Sequence, residues 1–369
     1  MATRLRQPPP ELVAHADSTR SRLVSSTTFL SVPELNRPNV DVPYVLHVSA
    51  LGDQGYLLGG SDDTLRLFAT DLSGSTKLQS TQQGVTSIAK GKAIATRDNV
   101  VFVTAKDGTV AAWDVRNHSK EAFKLKSKTG AGYLTSSQSS DGSCLAVGAE
   151  LHNYEATIDF WDLRAMKLAH TYTEAHSDDI THVEFHPSPN LPHLLLSASV
   201  DGLLNTYDVR VADEDDSVLS TSQVGTSLAS AGWMSLKGQE QDPDQKGVWC
   251  ATTIETMQFW DVDDSSITHD LDDIRDVALD PWRSEYLIGA QWNAHLGGVC
   301  ISAGTQAGDV AIMNLSDPSR WVLERLLPSS TSGQLHGHSD IVRCIDVDSV
   351  NGRIVTGGED GKVCLWSVA

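Results

Sequence analysis

Ala105-Lys106-Asp107-Gly108-Thr109-Val110-Ala111-Ala112-Trp113-Asp114 reads as a tight turn leading into a strand that closes on an aromatic and an aspartate. Aspartate followed by glycine marks such a turn. Glycine enters the left-handed backbone region without steric cost, and aspartate hydrogen-bonds the backbone just beyond itself. The unit recurs: Ser199-Val200-Asp201-Gly202 leads to Tyr207-Asp208, Gly358-Glu359-Asp360-Gly361 to Trp366, and Gly60-Ser61-Asp62-Asp63 to Phe68. In all four the turn aspartate stands six positions before the aromatic. Three further copies are weaker. Phe160-Trp161-Asp162 and Phe259-Trp260-Asp261 end strands that lack the turn signature, and Ala307-Gly308 leads to Met313 at the aromatic site.

The anchor positions are thus 68, 113, 161, 207, 260, 313 and 366, spaced by 45, 48, 46, 53, 53 and 53 residues. A regular period of this length, with strand, turn and strand inside each copy, is the signature of four-stranded blades in a β-propeller. The predicted fold class is therefore all-β, a seven-bladed ring. One blade cannot bury both faces of its twisted sheet, but blades arranged radially cover one another, with the anchor aromatics between adjacent sheets. The sequence ends three residues after Trp366, so the last blade needs its outer strand from elsewhere. The stretch Arg22 to Leu30 is rich in β-branched residues, and residues 20–32 are expected to pair with the strand Lys362 to Trp366 and close the ring. This gives one propeller over residues 20–369, expected as a monomer. Residues 1–19, with Pro8-Pro9-Pro10, read as a loose tail.

Net charge is −20 at pH 7, which makes bare nucleic acid and anionic membranes poor partners and basic proteins good ones. Five scattered cysteines show no metal-binding spacing and mostly fall in apolar, strand-like runs, where free cysteine acts as a small buried hydrophobe. That usage suits a reducing compartment, the nucleus or the cytoplasm. The first residues lack an apolar stretch behind a basic start, and no apolar run approaches the length of a membrane span. The sequence contains no H-E-x-x-H, no phosphate-binding glycine loop with G-K-[ST] and no G-x-S-x-G elbow, and its thirteen histidines are dispersed. Neither a cofactor nor a metal is expected.

These motifs resemble the WD-repeat superfamily over about residues 22–369. Within it, Asp276-Val277, Tyr286-Leu287-Ile288-Gly289-Ala290, Ile312-Met313-Asn314 and Thr356-Gly357-Gly358-Glu359-Asp360 resemble WD repeat-containing protein 89 and its fungal relatives. The resemblance implies scaffolding without intrinsic catalysis. It also implies a hydrogen-bonded tetrad of His338, Thr356, Asp360 and Trp366, and a second of His176, Ser197, Asp201 and Tyr207, with tyrosine in the place of tryptophan. Each set looks like a catalytic triad on paper, but identical offsets within the repeat favour a structural role. Trp113-Asp114-Val115-Arg116, Trp161-Asp162-Leu163-Arg164 and Tyr207-Asp208-Val209-Arg210 resemble the motif by which substrate receptors of cullin-4 ubiquitin ligases meet their adaptor. The plainer reading is that Arg116, Arg164 and Arg210 pair with the neighbouring aspartates.

In a propeller the loops joining strands a to b and c to d share one face, and the b–c and d–a loops share the other. Residues 201–280 hold 18 acidic and 4 basic residues. Asp213, Glu214, Asp215, Asp216, Asp263 and Asp264 fall in c–d loops of the fourth and fifth blades, and Glu240, Asp242 and Asp244 in an a–b loop of the fifth. These nine carboxylates are expected on one face. They form either a solvated rim or a docking site for a Lys/Arg-rich partner such as a histone or ribosomal protein segment. The expected function is a non-catalytic protein-interaction scaffold within a macromolecular complex. The alternatives are a cullin-4 substrate receptor and, from a different class, a propeller hydrolase with acidic or histidine side chains converging on the central channel.

Overall fold

The computed structural model describes residues 12–14, 23–35, 41–78, 82–91, 100–116, 121–235, 244, 246–280, 282–293, 298–317, 320–330, 337–348 and 351–367. They form seven antiparallel sheets in a ring. The inner strands are Val45–Ala50, Val85–Lys90, Tyr133–Gln138, Ile180–Phe185, Leu228–Met234, Tyr286–Asn293 and Val342–Asp348. The anchor strands, third in each blade, are Leu65–Phe68, Thr109–Asp114, Ile158–Asp162, Leu203–Asp208, Met257–Asp261, Val310–Asp317 and Lys362–Ser367.

The core is divided among the blade interfaces. All seven anchors are buried, and each packs against the blade before it. Trp113 meets Leu57, Leu65 and Leu67 of the first blade, Trp161 meets Phe102 and Val110 of the second, and Trp260 meets Leu196 and Leu204 of the fourth. Met313 fills the same place against Trp249 and Phe259, its unbranched chain adapting to the gap an aromatic fills elsewhere. The ring closes in the same way, with Phe68 against Val355, Val363 and Leu365 of the seventh blade.

The turns follow the sequence pattern. Asp107, Asp201 and Asp360 each accept a hydrogen bond from the backbone N–H two residues on, and Gly108, Gly202 and Gly361 take positive φ. In the first blade Asp63 occupies the left-handed position itself, at φ 59°. The third blade replaces this turn with a longer hairpin whose tip, Asn153-Tyr154, lies between the bridged residues His152 and Glu155. The wide spacing before the sixth anchor includes a link holding the short turn Ile274–Asp276 and a hairpin of Ala278–Leu279 with Trp282–Arg283.

The expected closure is present. Leu23–Thr28 is the outer strand of the seventh blade, antiparallel to Lys362–Ser367, with Thr28 opposite Lys362 and Leu23 opposite Trp366. Phe29 and Leu30, just beyond it, are buried between the seventh and first blades. The reading of residues 1–19 as a loose tail needs correction at one place. Leu12–Ala14 adds a fifth strand, parallel to Arg320–Leu327 of the sixth blade, and Leu12 is buried beside Trp321 and Leu323. The polyproline run pointed to loose chain, but the apolar residues just after it satisfy an edge whose backbone groups would otherwise face water.

Candidate functional site

Both tetrads are assembled. His338 Nδ1 lies 3.0 Å from Asp360 Oδ1 and its Nε2 2.8 Å from Thr356 Oγ1, to which Trp366 Nε1 donates at 2.9 Å. His176 Nδ1 lies 3.0 Å from Asp201 Oδ2 and its Nε2 2.6 Å from Ser197 Oγ, with the Tyr207 hydroxyl 3.1 Å from that oxygen. Each histidine is buried, and each joins the d–a link to the turn and strands of its blade. Asp201 and Asp360 also accept from the backbone N–H of Ser177 and Ser339. These are clamps that hold a link against a blade, since every polar atom is turned inward onto a neighbour. Burial opposes charge on His338, but Cys364 and the Asp360 carboxylate outweigh it and raise the imidazole to about 9. Burial likewise works against the Asp360 carboxylate, and its bond to His338 holds it at about 2.

The acidic loops lie where the strand order places them. Asp213–Asp216 stands between the third and outer strands of the fourth blade, Asp263 and Asp264 between those of the fifth, and Asp244 just before the fifth blade's second strand. Glu240 and Asp242 lie outside the described residues. The carboxylates are not equivalent. Asp213 caps the short helix Glu214–Ser217. Glu214 turns away from solvent and accepts the backbone N–H groups of Thr173, Glu174 and Ala175 at 2.6, 2.9 and 2.7 Å, fastening its loop to the link that leaves the third blade. Asp244 accepts from Ser188 Oγ at 3.0 Å, and Asp263 pairs with Lys246 at 2.7 Å. Asp215, Asp216 and Asp264 present exposed side chains.

Glu214 is thus part of the fold rather than of a docking surface, which the run of four acidic residues concealed. Replacing it with alanine strands three backbone donors and is expected to destabilise the ring by about 2 kcal/mol, read by chemical denaturation. An unchanged midpoint would return Glu214 to the exposed set.

The three arginines behave differently from one another. Arg116 and Arg210 fold back onto Asp114 and Asp208, Arg210 with Nη2 2.5 Å from Oδ2. Arg164 is exposed, and only its backbone N–H meets Asp162.

The inner strands of all seven blades line a central channel of about 1210 Å³. Its walls are largely hydroxyl and aliphatic. His182 and Glu184, on one strand, approach to 3.8 Å, and no hydroxyl is bonded to that imidazole among the described residues. Among the described residues the channel therefore offers one histidine–carboxylate pair, with no hydroxyl bonded to its imidazole.

Comparison with known proteins agrees with this architecture. The sequence profile of the WD domain, G-beta repeat, matches residues 166–208 and 329–367, the two repeats that carry the tetrads. The WD repeat-containing protein GTS1 of Arabidopsis thaliana is 31% identical over 298 residues, 76% of this chain and 70% of the relative. A WD repeat-containing protein of Schizosaccharomyces pombe is 26% identical over 295 residues, covering 73% and 80%. The WD repeat-containing protein 89 homolog of Dictyostelium discoideum is 23% identical over 280 residues, covering 73% and 68%.

Proposed function

Because this chain belongs to the WD-repeat family, whose propellers generally serve as protein-interaction scaffolds, we propose that it holds a basic protein segment on the face formed by the a–b and c–d loops of its fourth and fifth blades. The observation that supports this most is the acidity of the two c–d loops there, Asp213–Asp216 and Asp263–Asp264, within a stretch, 201–280, that holds 18 acidic against 4 basic residues over both faces, with Arg210 engaged by Asp208 and Lys246 by Asp263. Among the described residues, Asp215, Asp216 and Asp264 are exposed there, Asp263 is exposed and pairs with Lys246, and Asp213 is exposed but caps its helix. Like charges held close repel one another, and a Lys/Arg-rich segment, such as a histone tail or a ribosomal protein extension, relieves that repulsion. The cullin-4 reading is the weaker one, since two of its three arginines spend their guanidinium groups on their own turns. Five free cysteines, four of them buried, fit residence in a reducing compartment such as the nucleus or cytoplasm.

The test is the affinity of a lysine-rich histone-tail peptide for the whole protein and for a variant with Asp215, Asp216, Asp263 and Asp264 changed to asparagine. Binding is expected to fall roughly tenfold in the variant, and to fall with added salt in the parent, because exposed charges are screened within about 10 Å at 0.1 M salt. Equal affinity in the two proteins would remove the proposal.

A further inference from the structure

On the opposite face, the hairpin of the third blade stands out from its counterparts. The second, fourth and seventh blades turn there on an aspartate and a glycine, whereas here the chain runs through Glu150-Leu151-His152-Asn153-Tyr154-Glu155-Ala156-Thr157. The base is fixed. Glu150 Oε1 accepts the Gly132 N–H at 3.1 Å, the Glu150 N–H donates to Gly132 O at 2.9 Å, and the Leu151 N–H donates to Asp179 Oδ1 at 2.7 Å. The backbones of His152 and Glu155 then bond each other in both directions. At the tip, Asn153 and Tyr154 have φ of 51° and 70°, a region that asparagine tolerates and an aromatic residue rarely adopts.

Tyr154 gains nothing structural in return for that conformation. It is 97% exposed, the most exposed large hydrophobic side chain among the described residues. It is also not an isolated case on its face. Of the eight exposed large hydrophobics among the described residues, Val42, Tyr44, Leu151, Tyr154 and Ile254 all lie in b–c turns or d–a links, on this side of the ring. A rigid, fully presented tyrosine is the kind of side chain that anchors protein interfaces, because it brings a large contact area with only two side-chain torsions to immobilise.

We propose that this hairpin is a docking post for an extended Lys/Arg-rich segment of another protein, with Tyr154 offering its ring face to a cationic side chain. The charge around the post selects that partner. Glu155 beside Tyr154 is exposed, the Asp179 carboxylate accepts the Leu151 N–H at the hairpin's base, and the whole chain bears −20. An aromatic face next to carboxylates attracts ammonium and guanidinium groups. The post uses none of the exposed carboxylates Asp215, Asp216, Asp263 and Asp264, and it can stand if they bind nothing.

Hydrogen–deuterium exchange on the full chain, with and without a synthetic 15-residue peptide of alternating lysine, arginine and small residues, separates the two faces. The peptide is expected to slow exchange over 150–157, and to do so equally when Asp215, Asp216, Asp263 and Asp264 are changed to asparagine. Tyr154→Gly is expected to weaken this binding about tenfold while leaving the melting temperature unchanged or higher, since glycine accepts the tip conformation freely. A residue with a structural role would lose stability instead. Glu155→Lys should weaken binding as well. Absence of protection over 150–157, or equal affinity of Tyr154→Gly and parent, overturns the post. Tighter binding of an uncharged leucine-rich peptide at the same residues overturns the basic partner.

Discussion

A chain beginning at residue 36 is expected to aggregate and to show no cooperative melting transition, because it lacks the strand that completes the seventh blade. Four losses coincide, the first being Leu12–Ala14, which leaves the edge of the sixth blade and uncovers Trp321 and Leu323. Lys362–Ser367 becomes an open edge, with unpaired backbone groups along its length. Phe29, fully buried with its ring 6.3 Å from that of Phe68, and Leu30 leave the junction of the seventh and first blades empty. Glu34 no longer pairs with the buried Arg66, which also lies over the Phe29 ring. Truncating a buried phenylalanine costs about 3–5 kcal/mol and a leucine about 2–5, so the side chains alone remove at least about 5 kcal/mol. That is comparable with the entire stability of an ordinary domain, roughly 5–15 kcal/mol. Light scattering after size exclusion, with melting followed by circular dichroism, reads the outcome. A monomer with the parent's midpoint would show that the strand contributes nothing to closure. Phe29→Ala isolates one part of the effect and should remain folded, with a lowered midpoint.

The second large effect is expected at His338. Leucine there keeps much of the volume but removes the bridge between Asp360 and Thr356, breaking a buried pair at a cost of about 3 kcal/mol. Asp360 keeps its backbone partners at Ser339 and Lys362, which limits the loss. The pH dependence gives the loss a signature. The imidazole is raised from 6.5 to about 9, so its contribution is complete below pH 6.5 and disappears as pH rises through 9. The Asp360 carboxylate is lowered from 3.8 to about 2, so its contribution is complete above pH 3.8 and disappears as pH falls through 2. The stability difference between parent and His338→Leu should therefore be greatest between pH 3.8 and 6.5 and should shrink toward pH 9. A difference that stays flat across this range would mean the histidine fills space without using its charge.

The ring was legible in the sequence because a blade interface repeats one chemical demand. Each needs a large apolar side chain at the end of a strand, and the turn six residues earlier needs a residue that bonds its own backbone. Trp113 and Asp107, or Trp366 and Asp360, announce both at once. Met313 was recoverable only from spacing, since methionine fills the gap without any aromatic signal. The closing strand could be found because the seventh unit lacked one. What stayed hidden depends on which way a side chain turns. Glu214 sits in an acidic run as if it were solvated, yet its carboxylate bonds three N–H groups of a neighbouring link distant in sequence. Leu12–Ala14 is too short to carry a strand pattern and exists because the sixth blade offers an edge. Tyr154 left one trace, the missing Asp-Gly signature of the third repeat, which read as decay although the structure has an extended hairpin there.

Closure by the N-terminal strand also sets an order of events during synthesis. Thr28 leaves the ribosome about 330 residues ahead of Lys362, the residue it will face. At roughly 5–20 residues per second, that interval lasts roughly 20–70 s. Throughout it the nascent chain is an unfinished arc: each of its two end sheets lacks a neighbour on one side, and Leu23–Thr28 has no mate. Because the joint comes late, the molecule cannot bury its final interface until Lys362–Ser367 has been made.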